Sequence, residues 1–182
     1  MRYLEKYNEN GNKTCLILHG KSDSKKEYEE NDSPSNNHWI PWLQKQLCLN
    51  DILTQTPEFP IPYDPSYNEW VKVFEQFKIN KNTILIGHSY GAGFLIKYLS
   101  QNDIKVDKVI LIAPYLDKLL IDKKLSDRNN ITIFYSTDDD KNILKTVEFI
   151  QNNLDNLVIK KYSDKEHFTM KKVSEILSFI LN

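Results

Sequence analysis

The sequence predicts an α/β protein, a three-layer sandwich on a mostly parallel central sheet of about six strands. Short apolar runs rich in β-branched residues recur along the chain, and amphipathic helical stretches separate them. The chain of 182 residues is long enough for one such core and too short for two ordinary enzyme domains.

The strands come first. Thr14-Cys15-Leu16-Ile17-Leu18 is the opening run, and Asp51-Ile52-Leu53-Thr54 is a weaker second. Thr83 to Ile86, Lys108 to Ile112 and Ile131 to Tyr135 follow, with Leu157-Val158-Ile159 last. Runs this short, without polar alternation, fit strands covered on both faces by helices. Ser66-Tyr67-Asn68-Glu69 has the form of a capping box and places a helix start before Trp70, Val71 and Phe74. Ile143, Val147, Ile150 and Leu154 make one helical stripe. Val173, Ile176, Leu177, Ile180 and Leu181 make another near the C-terminus. No internal repeat or interdomain linker interrupts the pattern, so residues 1–182 read as a single domain, with 1–12 a loosely ordered N-terminal segment.

Two stretches break the rhythm. Residues 21–37 are polar and charged, and read as a solvated surface loop. Residues 57–65 hold prolines at 57, 60, 62 and 65, which fix φ and remove amide donors. That segment is an extended connector running over the surface.

Composition excludes several functions. With 24 basic and 25 acidic residues, the chain has no basic stripe for nucleic acid. No apolar run reaches the roughly 18–20 residues that cross a bilayer, and the charged start Met1-Arg2-Tyr3-Leu4-Glu5-Lys6 lacks a secretory h-region. Cys15 and Cys48 make no disulfide framework, and Cys15 reads as a core thiol. A cytoplasmic location follows from these features, with neither membrane nor nucleic acid as partner. No protein partner is indicated.

Gly87-His88-Ser89-Tyr90-Gly91 follows a buried strand and precedes a helical stretch, Ala92 to Leu99. In that context G-x-S-x-G is a sharp strand-to-helix turn, and a Cβ at either glycine would collide with the converging chain. The turn presents the Ser89 hydroxyl at the carboxyl end of the sheet. A serine hydroxyl needs a base, and four histidines are available. His88 lies inside the turn and points into the fold; His19, at the end of the first strand, suits a backbone role. His38 closes the polar loop beside Trp39. His167 precedes the last helix, in a loop that opens on the same sheet edge as Ser89, and is the candidate base. Chain order Ser…Asp…His directs the orienting acid to Asp138-Asp139-Asp140. No further oxygen ligands follow at loop spacing, so a metal site is not expected there.

The whole pattern resembles the α/β-hydrolases, and more narrowly the YdeN-type family of small serine hydrolases. The resemblance is carried by Leu16-Ile17-Leu18-His19-Gly20, Trp39-Ile40-Pro41-Trp42-Leu43, Glu69-Trp70, the Ser89 motif, Tyr135-Ser136-Thr137-Asp138-Asp139 and Glu166-His167-Phe168. It implies a hydrolase without a cofactor, with a triad of Ser89, His167 and Asp139, Asp140 being the alternative acid. The oxyanion hole would take the amides of Tyr90 and Lys21, or of Gly20 in place of the latter. The family usually has proline after the acid and glycine before the histidine, where this chain has Asp140 and Glu166. Glu166 beside the base would favour the charged imidazole. The expected reaction is hydrolysis of a small ester, thioester or amide through an acyl-enzyme, of carboxylesterase type. An acyltransferase, or a binding protein that keeps the fold, are the alternatives. Between the fourth and fifth strands only residues 113–130 remain, too few for a separate cap, so the substrate should be a small soluble acyl compound. Residues 21–37 would partly cover the entrance.

Overall fold

The computed structural model describes residues 12–116 and 121–182. The expectation of a loose segment over 1–12 therefore falls, apart from Asn12, outside the described residues. Six parallel strands form one sheet in the order β2-β1-β3-β4-β5-β6. They are β1 Thr14–Leu18, β2 Leu53–Gln55, β3 Thr83–His88, β4 Lys108–Ile112, β5 Ile131–Ser136 and β6 Val158–Tyr162. The helices are α1 Lys25–Glu30, α2 Ile40–Leu49, α3 Tyr67–Phe74, α4 Tyr90–Gln101, α5 Leu125–Arg128, α6 Lys141–Asn153 and α7 Ser174–Leu181.

Strand burial follows the hydropathy pattern. All residues of β1 and β3 are buried, as expected of central strands covered on both faces. β6 runs three residues beyond its apolar stretch, through the exposed Lys160 and Lys161. An edge strand pairs on one side only and tolerates lysine, which also discourages further pairing. β2 is short because Asp51, in the left-handed region (φ 58°), turns the chain out of α2 just before it.

Right-handed crossovers put α3, α4 and α6 on one face of the sheet and α2 on the other, where it packs against α7. Ile143, Val147, Ile150 and Leu154 are all buried, as their spacing requires. In α7, Ile176 and Ile180 are buried behind Val173, whereas Leu181 is exposed. The start of α3 lies where the capping pattern places it, but the Ser66 side chain makes no capping bond. Glu69 pairs instead with Lys72 at 2.6 Å.

Two further expectations need correction. Residues 21–37 are not wholly irregular: Ser24 Oγ caps α1 by accepting from the Glu27 amide, and Pro34–Asn36 make a 3-10 turn. The connector 57–65 does not stay on the surface. Phe59 is fully buried and stacks on Trp70 with ring centroids 4.5 Å apart, because an apolar side chain between prolines gains more from the core than from water. In its described residues, the link between β4 and β5 carries only the single turn α5. No described helix is long and apolar enough to cross a membrane.

Candidate active site

The strand order reverses between β1 and β3, where their carboxyl ends open a crevice. β3 delivers Ser89 to that crevice. Ser89 has φ 51° and ψ −115°, a strained conformation for a residue with a Cβ. Its backbone is clamped on several sides: the amide donates to Ile112 O at 2.9 Å, and the carbonyl accepts from Ala92, Gly93 and Tyr115. A Cβ on Gly87 would lie 2.6 Å from the Ala92 backbone, and one on Gly91 would strike the His19 carbonyl oxygen. The two glycines are therefore a condition of the turn.

The turn after β1 lies against the elbow. His19 is buried; its Nδ1–H donates to Gly20 O (2.7 Å) and its Nε2 accepts from the Phe59 amide (2.9 Å). Burial holds its pKa below the ordinary value, which suits a neutral ring with one donor and one acceptor. His19 thus has the backbone role its position suggests, tying the proline-rich connector to β1.

The loop that carries His167, the candidate base, follows β6. His167 Nδ1 lies 3.0 Å from both oxygens of Asp139. The Asp139 side chain is only 2% exposed and that of His167 is 35% exposed, so the acid is enclosed while the imidazole reaches the surface of the crevice. The three consecutive aspartates divide their work. Asp138 accepts from the Ser136 hydroxyl and from the Glu166 amide (3.1 Å). The Ser136 hydroxyl bond, ahead of the backbone amides, holds the Asp138 carboxyl below the usual range. Asp140 caps α6 by accepting from the Asn142 amide at 2.7 Å. Asp139 meets the imidazole and Asp140 does not.

The departures from the family pattern have a backbone explanation. Glu166 sits at φ 46°, the left-handed region that glycine occupies without cost. Its side chain is exposed. Asp140, where proline is usual, has φ −56°, the angle proline would fix.

Ser89 and His167 line one cavity of about 470 Å³, together with Tyr90, Lys21 and Gly20. Of the site residues named from the sequence, only the two candidate acids, Asp139 and Asp140, do not border this space; Asp139 reaches it through His167. Tyr28 of α1, Asn37 and His38 border it as well, so the 21–37 segment forms part of its wall. Sequence reading missed the bracing set of Ser136, Asp138, His38 and His88. The only signal for the first two was their adjacency to the acid. His38, one of the four histidines weighed as base, instead donates its Nδ1–H to Thr169 O (3.1 Å), two residues past His167.

Comparison with known proteins gives the family and the fold. The family model described as serine hydrolase matches residues 16–155. The chain belongs to the serine hydrolase family. YdeN of Bacillus subtilis (strain 168) is 27% identical over 111 residues, 59% of this chain, and the match spans about half (53%) of that protein's length. The crystal structure of the B. subtilis ydeN gene product superposes with a TM-score of 0.76 at 17% identity, covering 93% of this chain and 97% of that one. A monoacylglycerol lipase from Paleococcus ferrophilus gives 0.65 at 14% identity, covering 92% of each chain. The fold is that of the α/β-hydrolases.

Proposed function

We propose that this serine hydrolase cleaves a small, soluble ester, thioester or amide through an acyl-enzyme on Ser89. The carrying observation is that the strained Ser89 and a histidine paired at 3.0 Å with an enclosed aspartate line the same cavity. With Nδ1 committed to Asp139, the proton-accepting nitrogen of His167 is Nε2. It takes the Ser89 hydroxyl proton as Oγ adds to the substrate carbonyl. The tetrahedral oxyanion is held by the amides of Tyr90 and Lys21, the first at the start of α4, where helix amides point outward. His167 then gives its proton to the departing alcohol, thiol or amine, leaving acylated Ser89. Water, deprotonated by the same nitrogen, releases the acid and restores the serine. Asp139 stays ionised and stabilises the imidazolium.

The cavity volume and the short β4–β5 link support a small substrate. The likeness in fold to a monoacylglycerol lipase supports an ester as the first substrate to try. Free thiols at Cys15 and Cys48 suit a reducing cytoplasm; burial pushes the Cys15 thiol far above its ordinary range, so it is inert. The test is turnover of p-nitrophenyl esters from acetate to octanoate by wild type and Ser89→Ala. The reading expects hydrolysis that favours the short chains and disappears in the variant. Equal rates in the two proteins would remove it in favour of a binding role. Product esters formed on added alcohol, at the expense of acid, would favour an acyltransferase.

A further inference from the structure

His88 directly precedes Ser89, and its ring is buried beneath the elbow. Alternation along β3 sends it to the opposite face from Gly87. There the rings of Trp39 and His38 stand edge-on to it, at centroid distances of 5.8 and 6.2 Å. Toward the base loop the imidazole makes a polar contact: Nε2 lies 2.8 Å from the main-chain oxygen of His167. A carbonyl oxygen only accepts, so His88 Nε2 carries the proton and donates it. Burial, more than the neighbouring His167, pushes the ring pKa down to about 3, and the neutral donor persists through neutral pH.

We infer that His88 is a positioning residue, whose Nε2–H bond to the His167 carbonyl ties the main chain of the base to that of the nucleophile. The role rests on the reading of Ser89 and His167 given above. The tie is short: from Ser89 it runs through one peptide bond, one side chain at the wall of the cavity and one hydrogen bond. It is also anchored. His88 is the last residue of β3 and pairs with Ile112 of β4, so the donor sits on a central, fully buried strand.

The base loop needs such an anchor. Glu166 and Phe168, on either side of His167, both hold left-handed angles (φ 46° and 56°), which residues with a Cβ keep only when their surroundings enforce them. The enforcement is visible for the flanks. The Lys165 amide donates to Ser136 Oγ at 3.1 Å, the Glu166 amide to Asp138, and the Phe168 ring is fully buried. His88 supplies the corresponding bond to His167 itself. Without it a carbonyl would lose its partner inside the fold, and the loop could settle with the imidazole displaced from both Asp139 and Ser89.

Ring packing and hydrogen bonding separate by substitution. His88→Phe keeps the ring and loses the donor; His88→Gln loses the ring and keeps an N–H at about the Nε2 position. On p-nitrophenyl acetate, His88→Phe should lower kcat by roughly 10–100-fold with KM within about twofold, the size of effect a displaced catalytic group produces. His88→Gln should stay within about fivefold of wild type by the same reasoning. A Phe variant with wild-type kcat, or a Gln variant that falls with it, would overturn the role. A wild type without turnover would instead overturn the Ser89 reading, a different outcome from an active wild type indifferent to His88→Phe. Should the variants not fold, nitrogen NMR of the histidine rings in wild type decides. The expected signal is a slowly exchanging Nε2–H at His88; an Nδ1–H tautomer contradicts the bond.

Discussion

The loop that carries His167 and the segment 21–37 border the same cavity, yet they are held by different means. The base loop is bound to the sheet by side chains of β3 and of the β5 end, among them His88 and Ser136, and by the buried Phe168. The 21–37 segment has no buried residue in α1. It is fastened to the connector 57–65, by the Ser22 amide to Pro62 O, by Ser33 and Ser35 to Glu58, and by the Tyr28 ring against Tyr63. Along α1 the exposed pairs Lys25–Glu29 and Lys26–Glu30 add little, about 0.3–0.5 kcal/mol each. The groups proposed to meet a reacting atom are thus tied to the sheet itself, while the wall that would meet the rest of a substrate is tied to the proline-rich connector. The chemistry should be intolerant of substitution and the selectivity should be open to it.

The sharpest way to break this contrast is on the braced side. Asp139→Asn should lower kcat by roughly 10²–10⁴-fold, since the amide favours the wrong imidazole tautomer. Asp140→Asn should leave kcat within about twofold, because asparagine caps a helix as well as aspartate does. Steady-state kinetics of the two neighbours check this, and equal losses would contradict the assignment of Asp139. Next in size is Gly91→Ala, whose added methyl meets the His19 carbonyl. Urea unfolding should show a loss of about 3 kcal/mol, at the upper end of overpacking costs.

A smaller effect is read by pH. His88 titrates near 3 in the folded protein against an ordinary value of 6.5. Between those values the unfolded chain binds more protons than the native one, so stability is complete above about pH 6.5 and falls as the pH drops toward 3. His88→Gln should remove part of that slope, at most about 1.4 kcal/mol per pH unit, in urea titrations at pH 4.5, 5.5 and 7. A slope unchanged by the substitution would contradict a buried neutral ring.

The mildest change falls on the open wall. Replacing Lys25–Glu30 by a Gly/Ser linker should cost roughly 1 kcal/mol or less, as for surface changes without buried contacts. It should nonetheless alter the ratio of kcat/KM between acetate and octanoate esters. Unchanged ratios would remove this segment from the substrate's path.

The difference between the two regions also governs how much was legible in sequence. Ser89 and its glycines could be read because the elbow imposes residue types at fixed offsets, and β1, β3, β4 and β5 because a buried parallel strand has to be apolar. The full length of β6 is not legible in its apolar run, since an edge strand can carry Lys160 and Lys161. Burial of Phe59 is not legible, because proline spacing reports backbone direction and says nothing about one side chain turning inward. Asp139 and Asp140 resist separation in sequence: which of two adjacent carboxylates meets the imidazole depends on where α6 begins, and a cap position is uncertain by a residue. The tie from His88 could not be read at all, since it joins residues 79 apart in the chain.

The most direct test of the account is reaction with a fluorophosphonate followed by peptide mass mapping. A single adduct on Ser89, lost in Ser89→Ala and strongly slowed in Asp139→Asn, is the predicted result. No adduct, or one on another residue that persists in Ser89→Ala, would contradict it.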